Sequence, residues 1–227
     1  MRGTEGAVST KRPALWTGRM VVAVLGCLGL LSACSPIRPS APPMASKIAL
    51  TASDLTSSWK ALGQWEPPAP ALRAQLYACL NSAEPALRSQ AASRTFISPT
   101  GVVAFSVTSV FPTSAEAAED LSLQRNPRFP DCESGIASQL YAVLPPGLAF
   151  GAVSGVTLPI GVSDASSEAY QFTAVVSKAG TKSSMAEADS VTVLRGTVES
   201  TVTFVCLGPP PSTVAEAGIV DRYLRHW

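Results

Sequence analysis

The sequence predicts an α+β fold: a twisted, mostly antiparallel sheet flanked by helices and closed by a C-terminal helix. Three features point there. Helical-period segments interleave with short extended ones in the first half of the chain. Four extended segments then follow one another between residues 153 and 207. A last helical stripe lies beyond Pro209-Pro210-Pro211.

Each element has its own signal. Leu50–Leu62 opens on Thr51, Ser53 and Asp54 as caps and spaces Leu55, Trp59 and Leu62 as a helix would. After the Pro67-Pro68-Ala69-Pro70 break, Ala71–Asn81 puts Leu72, Leu76, Cys79 and Leu80 on one helical face. Arg94–Ser98 reads as a short strand. Gly101–Phe111 alternates, with Val103, Phe105, Val107 and Phe111 on one face and smaller residues on the other. Pro112-Thr113-Ser114 caps an Ala- and Glu-rich helix that carries Glu116 and Glu119 near its positive end. The turn Asn126–Pro130 leads into a helix near Asp131–Val143, with Ile136, Leu140 and Val143 inward.

Val153–Pro159, Ala169–Val176, Ser190–Arg195 and Thr197–Leu207 are strands. The last shows Val198, Val202, Phe204 and Cys206 on one face. Gly180 and Gly196 supply turns, and the tight connection at Gly196 suggests a hairpin. Ser212–Trp227 closes the chain as a helix with Ala217, Val220, Tyr223, Leu224 and Trp227 as its stripe.

The N-terminus carries a different signal. Lys11, Arg12 and Arg19 precede an apolar run of 12 residues, Met20–Leu31. A helix crossing about 30 Å of hydrocarbon needs roughly 20 residues, so the run fits a secretory signal instead. Leu31-Ser32-Ala33-Cys34 looks like a bacterial lipobox, whose cysteine is diacylated after cleavage. No twin arginine is present, so general secretion is the expected route. Each buried methylene of an acyl chain such as palmitate contributes about 0.8 kcal/mol, and several chains anchor stably. Ser35–Pro43 has four prolines in nine residues, the composition of a semi-rigid spacer. The expected organisation is a signal peptide at 1–33, a lipidated Cys34 with a Pro-rich tether at 34–49, and one domain at 50–227.

Composition narrows the function. Of 227 residues 46% are hydrophobic and 15% charged, which speaks against disorder throughout. The chain has 17 basic and 16 acidic residues; the leader holds four and one of them, leaving 13 and 15, a net charge of −2. Nothing in that balance favours nucleic acid or anionic lipid. The chain has a single histidine, His226.

Three cysteines remain after Cys34 and the leader's Cys27: Cys79, Cys132 and Cys206. An oxidising compartment favours one pair and one odd thiol. Cys79 ends one helix and Cys132 begins another, whereas Cys206 lies mid-strand among apolar residues. We therefore pair Cys79 with Cys132 and read Cys206 as a buried thiol.

Catalytic motifs are thin. Ser57-Ser58-Trp59-Lys60 matches S-x-x-K, but no S-D-N accompanies it and Lys178-Ala179-Gly180-Thr181 is not K-T-G. No G-x-S-x-G elbow exists, and a triad would have to recruit His226 at the chain end. Glu116, Glu119 and Asp120 read as a solvated face that complements the helix dipole. Glu187 and Asp189 share a strand face but lack the loop spacing of calcium motifs. Trp59, Trp65, Tyr77, Phe150, Tyr170 and Phe172 supply aromatic area for a core or for the wall of a cavity.

The order of these motifs resembles a known group. The lipobox and Pro-rich spacer are followed by Leu50-Thr51-Ala52-Ser53-Asp54-Leu55 with Trp59. Val107-Thr108-Ser109-Val110-Phe111 and an Ala-rich helix lead to Cys132. Leu158-Pro159-Ile160-Gly161, Tyr170 and Asp189-Ser190-Val191-Thr192-Val193 continue the likeness from Leu50 to the C-terminus. It is similar to the small secreted lipoproteins of actinobacteria, the mycobacterial Lpq and Lpp types, with their PknH-like sensor and PsbP-like (LpqN) domains. The resemblance implies an antiparallel sheet flanked by helices, a binding or accessory role, and no catalytic residues to carry over.

The expectation is a lipid-anchored protein on the outer face of the cell membrane. It is expected to be no enzyme, to need no cofactor, and to bind an apolar or cell-wall-derived small molecule. The alternative is an interaction module for an envelope protein, and a hydrolase is the remote one. Cys34→Ala is expected to move the protein from the membrane fraction to the soluble fraction; unchanged membrane attachment in that variant would contradict acylation there.

Overall fold

The computed structural model describes residues 44–64, 70–140, 148–162, 165–178, 184–207 and 212–227, without the side chains of residues 70, 137–140, 148–152 and 178. The leader, Cys34, the tether as far as Pro43, Trp65, Val143, Gly180 and most of both Pro-rich breaks lie outside the described residues. The elements are α1 (Ala45–Ile48), β1 (Lys60–Gln64), α2 (Pro70–Cys79), β2 (Ser89–Ala92), β3 (Arg94–Ile97), β4 (Val103–Val110), α3 (Ser114–Gln124) and α4 (Phe129–Leu140). There follow β5 (Leu148–Thr157), β6 (Ser166–Lys178), β7 (Ser184–Arg195), β8 (Val198–Leu207) and α5 (Thr213–Leu224). The fold is α+β.

The strands form one eight-stranded sheet in the order β1-β3-β4-β8-β7-β6-β5, with β2 also beside β4. All its ladders are antiparallel. β7 and β8 make the hairpin read from Gly196: Arg195 faces Val198, and Gly196 has φ +62° at the first turn position. A side chain at that φ would be strained, which is why glycine stands there.

β2 was not legible, because Ser89-Gln90-Ala91-Ala92 has no branched or aromatic residue to signal a strand. It is set by pairing with Val107–Val110. Ser93 joins it to β3, its N–H donating to the Ser106 carbonyl at 2.9 Å while its hydroxyl accepts from the Ser106 N–H at 2.8 Å.

The helix expected at Leu50–Leu62 is absent. Residues 51–59 form turns closed by Asp54 N–H to Thr51 at 3.2 Å and Trp59 N–H to Thr56 at 3.1 Å. Local side chains outcompete the helix: Asp54 Oδ2 accepts from the Thr51 N–H at 2.7 Å and from its hydroxyl at 2.8 Å. Thr56 and Ser58 hydroxyls lie 2.9 Å apart. Leu62 consequently lies exposed on β1. The fold also begins before Leu50, inside the stretch expected to be tether. Ala45 in α1 is buried and its N–H donates to the Ser89 hydroxyl at 3.3 Å.

Both faces of the sheet are covered. On one, Val191, Val193, Val202 and Phe204 pack against Ile219, Val220, Tyr223 and Leu224 of α5, with Leu50 and Leu55 beside them. The small β4 residues Ala104, Ser106 and Thr108 let Tyr223 approach closely. Its hydroxyl meets Ser200 at 2.7 Å and Thr108 at 3.1 Å, which satisfies three buried oxygens at once. The chain end is tied down as well. His226 Nε2 is 2.7 Å from Asp54 Oδ1, and Arg222 Nε donates to the Asp54 carbonyl at 2.9 Å.

The other face carries α2, α3 and α4. α2 ends in an αL residue, Asn81 at φ 56°, with Ser82 N–H to Tyr77 at 2.9 Å and Asn81 N–H to Ala78 at 3.1 Å. That termination holds Cys79 beside α4, where it is bonded to Cys132 with the Cα atoms 5.7 Å apart. α3 is capped by Thr113, whose hydroxyl accepts from the Glu116 N–H at 3.1 Å and donates to Glu116 Oε2 at 2.7 Å.

Closing the loop of 53 residues between the cysteines stabilises the fold by about 4 kcal/mol in the chain-entropy picture. Replacing both by alanine is expected to lower the denaturant-measured unfolding free energy by about that much. An unchanged midpoint would contradict the bond. Burial, then Glu187 and Asp189 nearby, push the Cys206 thiol up to about 11. It is expected to alkylate at neutral pH only after unfolding, and rapid labelling of the native protein would contradict its burial.

Candidate functional site

Strand alternation decides what faces α2–α4. Glu199, Thr201 and Thr203 of β8 stand opposite Ser109, Val107 and Phe105 of β4. On the other side, Thr201 and Thr203 face Thr192 and Ser190 of β7. Tyr170 of β6 lies opposite Ser190. Cross-strand partners share a face, so this whole set looks at the three helices. Between sheet and helices lies a cavity of about 180 Å³, partly open to solvent.

The cavity has two characters. Leu76 of α2 and Leu80 just after it, Leu123 of α3, Phe129 and Ile136 of α4 and Phe105 of β4 make its apolar wall. Its floor is hydroxyl-rich, with Ser190 and Thr203 oxygens 3.2 Å apart and those of Thr192 and Thr201 2.9 Å apart. Tyr170 donates to the Gln124 carbonyl, and its ring lies 5.0 Å from Phe129.

At one end the lining turns ionisable. Tyr77 donates to Asp120, and Arg73 Nη2 donates to the Tyr77 oxygen at 3.5 Å. The Arg73 guanidinium lies 5.6 Å from the Tyr77 ring centroid, and Arg73 Nε is 3.5 Å from Glu84 Oε1. Glu199 sits beside Asp120 and is only 7% exposed, with Oε2 lacking a hydrogen-bond partner. Burial, and then the Asp120 charge, push Glu199 well above the usual carboxyl range. Burial also raises Asp120, against hydrogen bonds from Tyr77 and Glu199. Both shifts favour the protonated acid, and burial is deeper at Glu199.

A second carboxyl pair lies on the opposite face. Asp189 accepts from Gln171 Nε2 at 3.0 Å, and Glu216 of α5, 0% exposed, is hydrogen-bonded to Asp189. Burial and the Asp189 charge push Glu216 up to about 9. Among the described residues, no group of three His, Cys, Asp or Glu is placed to hold a metal ion.

The structure sorts the residues singled out from the sequence. Tyr77 and Tyr170 line the cavity, and Phe172 packs next to Tyr170 with ring centroids 6.3 Å apart. Gly155 permits that packing, since a Cβ there would meet Phe172 at 2.7 Å. Trp59 packs on the opposite face, Trp65 lies outside the described residues, and the same holds for the Phe150 side chain. Ser57 and Lys60 are exposed. Asp120 corrects the reading of a wholly solvated acidic face: it turns inward, while Glu119 stays exposed. Arg73, Phe129 and Glu199 were missed. For Glu199 a signal existed, a carboxyl in phase with Thr201 and Thr203 on a strand that is otherwise apolar and hydroxyl-bearing.

These carboxyls set a pH dependence with a definite sign. Unfolded, they ionise near their ordinary values, 4.5 for Glu216, whereas folded they keep the proton to higher pH, about 9 for Glu216. Across that window the unfolded chain binds fewer protons, so stability falls as pH rises. Thermal melts are expected to give a higher Tm near pH 5.5 than near pH 8.5, with a flatter profile for Glu216→Gln. A Tm that climbs over this range would contradict the burial.

No protein-family model matches the chain, and a search of curated proteins finds no significant match. Among solved structures, the chain is similar to the extracellular domain of PknH from Mycobacterium tuberculosis, at 11% sequence identity and a TM-score of 0.43. The match covers 82% of this chain and 98% of that one.

Proposed function

We propose that this chain is a cell-envelope lipoprotein whose domain binds a small molecule, without acting on it chemically, in the cavity between the sheet and α2–α4. The observation that carries the reading is the cavity itself, with an aliphatic and aromatic wall facing a hydroxyl floor. Pockets that combine apolar area with a few convergent polar groups are the ordinary form of a small-molecule site. The leader and Cys34 support the envelope location.

Size narrows the ligand. An apolar cavity of about 150 Å³ holds benzene, and sites that enclose drug-sized ligands run to about 300 Å³ or more. At about 180 Å³ this cavity admits one ring or the end of a short chain. A larger cell-wall-derived molecule would insert one end and leave the remainder in solvent. A binding role also fits the placing of His226, held at Asp54 on the far face of the sheet from these hydroxyls.

Native mass spectrometry of the protein isolated gently from its host tests the reading. A reproducible adduct that organic solvent extracts is expected. A bare mass under conditions that preserve the fold would overturn it in favour of an interaction module for an envelope protein.

A further inference from the structure

The polar end of the cavity selects among ligands, an inference that rests on reading the cavity as a ligand site. Most polar side chains described there already have a hydrogen-bond partner. The floor hydroxyls face one another in pairs. The Tyr77 proton goes to Asp120, the Tyr170 proton to the Gln124 carbonyl, and Gln90 Nε2 donates to the Ser109 hydroxyl at 3.1 Å. Arg73 is directed at Glu84 and Tyr77. The atom left without a partner is an acceptor, Glu199 Oε2, on a side chain that is only 7% exposed.

Glu199 is held on the cavity face. β8 is hydrogen-bonded on both sides, by β4 and β7, and alternation turns residue 199 to the cavity. Asp120, Glu133 and Glu199 line the site against one described basic residue, Arg73, itself paired with Glu84. An anionic head placed there would meet carboxyls without an uncommitted cation, whereas a donor would satisfy the orphaned oxygen.

We infer that the cavity takes a small amphipathic molecule by a hydroxyl or ammonium head that donates to Glu199 Oε2, and that it rejects carboxylates and phosphates of equal size. The hydrocarbon or ring part lies against Leu76, Leu80, Leu123 and Phe129. Alcohol and amine share the donor chemistry, and their relative affinities show which head the site prefers.

The test is titration calorimetry of the full-length protein in nanodiscs, with empty nanodiscs as the blank and 1-hexanol, hexylamine, hexanoate and toluene as probes. The better of 1-hexanol and hexylamine is expected to bind about tenfold or more tightly than hexanoate. Glu199→Leu is expected to weaken that probe about tenfold while sparing toluene. Glu199→Gln, which keeps a carbonyl acceptor and the side-chain shape, is expected to stay within a few-fold for 1-hexanol, and it serves if the leucine variant does not fold. Hexanoate binding as tightly as both donors would overturn the inference and leave the cavity reading standing. Failure of all four probes, toluene included, would overturn both.

Discussion

β8 is the strand on which the remainder of the structure depends. It pairs with β4 on one side and β7 on the other and is buried along almost its whole length. Neither of its faces is a solvent face, so every side chain on it must suit one of two interiors. Toward α5, Val202 and Phe204 fill the space and Ser200 accommodates the Tyr223 hydroxyl. Toward α2–α4, Thr201 and Thr203 are short, and three separate helices bridge the sheet above them. Short floor residues under a roof built from several pieces leave the cavity. The Cys79–Cys132 bond fixes two of those pieces to each other, which keeps the roof at its distance from the floor.

The same alternation accounts for the buried carboxyls. Glu199 is in phase with Thr201, so pairing carries it inside whether or not a cation awaits it. Taking an ionised carboxylate out of water is prohibitive, and the group responds by keeping its proton. Burial pushes Asp120 and Glu199 this way at the cavity, and Asp189 and Glu216 under α5. The settings differ in consequence. Glu216 is enclosed in packed core, where a neutral acid links helix to sheet. Glu199 looks into open volume, where an unsatisfied oxygen favours a ligand that donates to it.

Much of this architecture was legible in the sequence, for identifiable reasons. The α5 stripe through Val220, Tyr223 and Leu224, the alternation of β8, the Gly196 turn and the Thr113 cap all carry local signals that the fold uses unchanged. Residues 50–62 misled because Leu55, Trp59 and Leu62 have helical spacing, while the hydroxyls and Asp54 among them bond to the local backbone instead. β2 was hidden because its small polar residues owe their conformation to β4 across the ladder. Of the cavity, the aromatic contributors Tyr77 and Tyr170 could be nominated from composition. Arg73, Asp120 and Glu199 could not be brought together, since their approach depends on where α2 and α3 cross the sheet.

Carbon-13 NMR titration of the side-chain carboxyl carbons, with Glu199 assigned by comparison with Glu199→Gln, tests most directly that strand pairing forces a neutral acid to the cavity wall. The Glu199 signal is predicted to remain at the protonated position at pH 7. Titration near the ordinary glutamate value, about 4.3, would contradict the account, because Glu199 would then be solvated and the cavity would lack the group that defines its polar end.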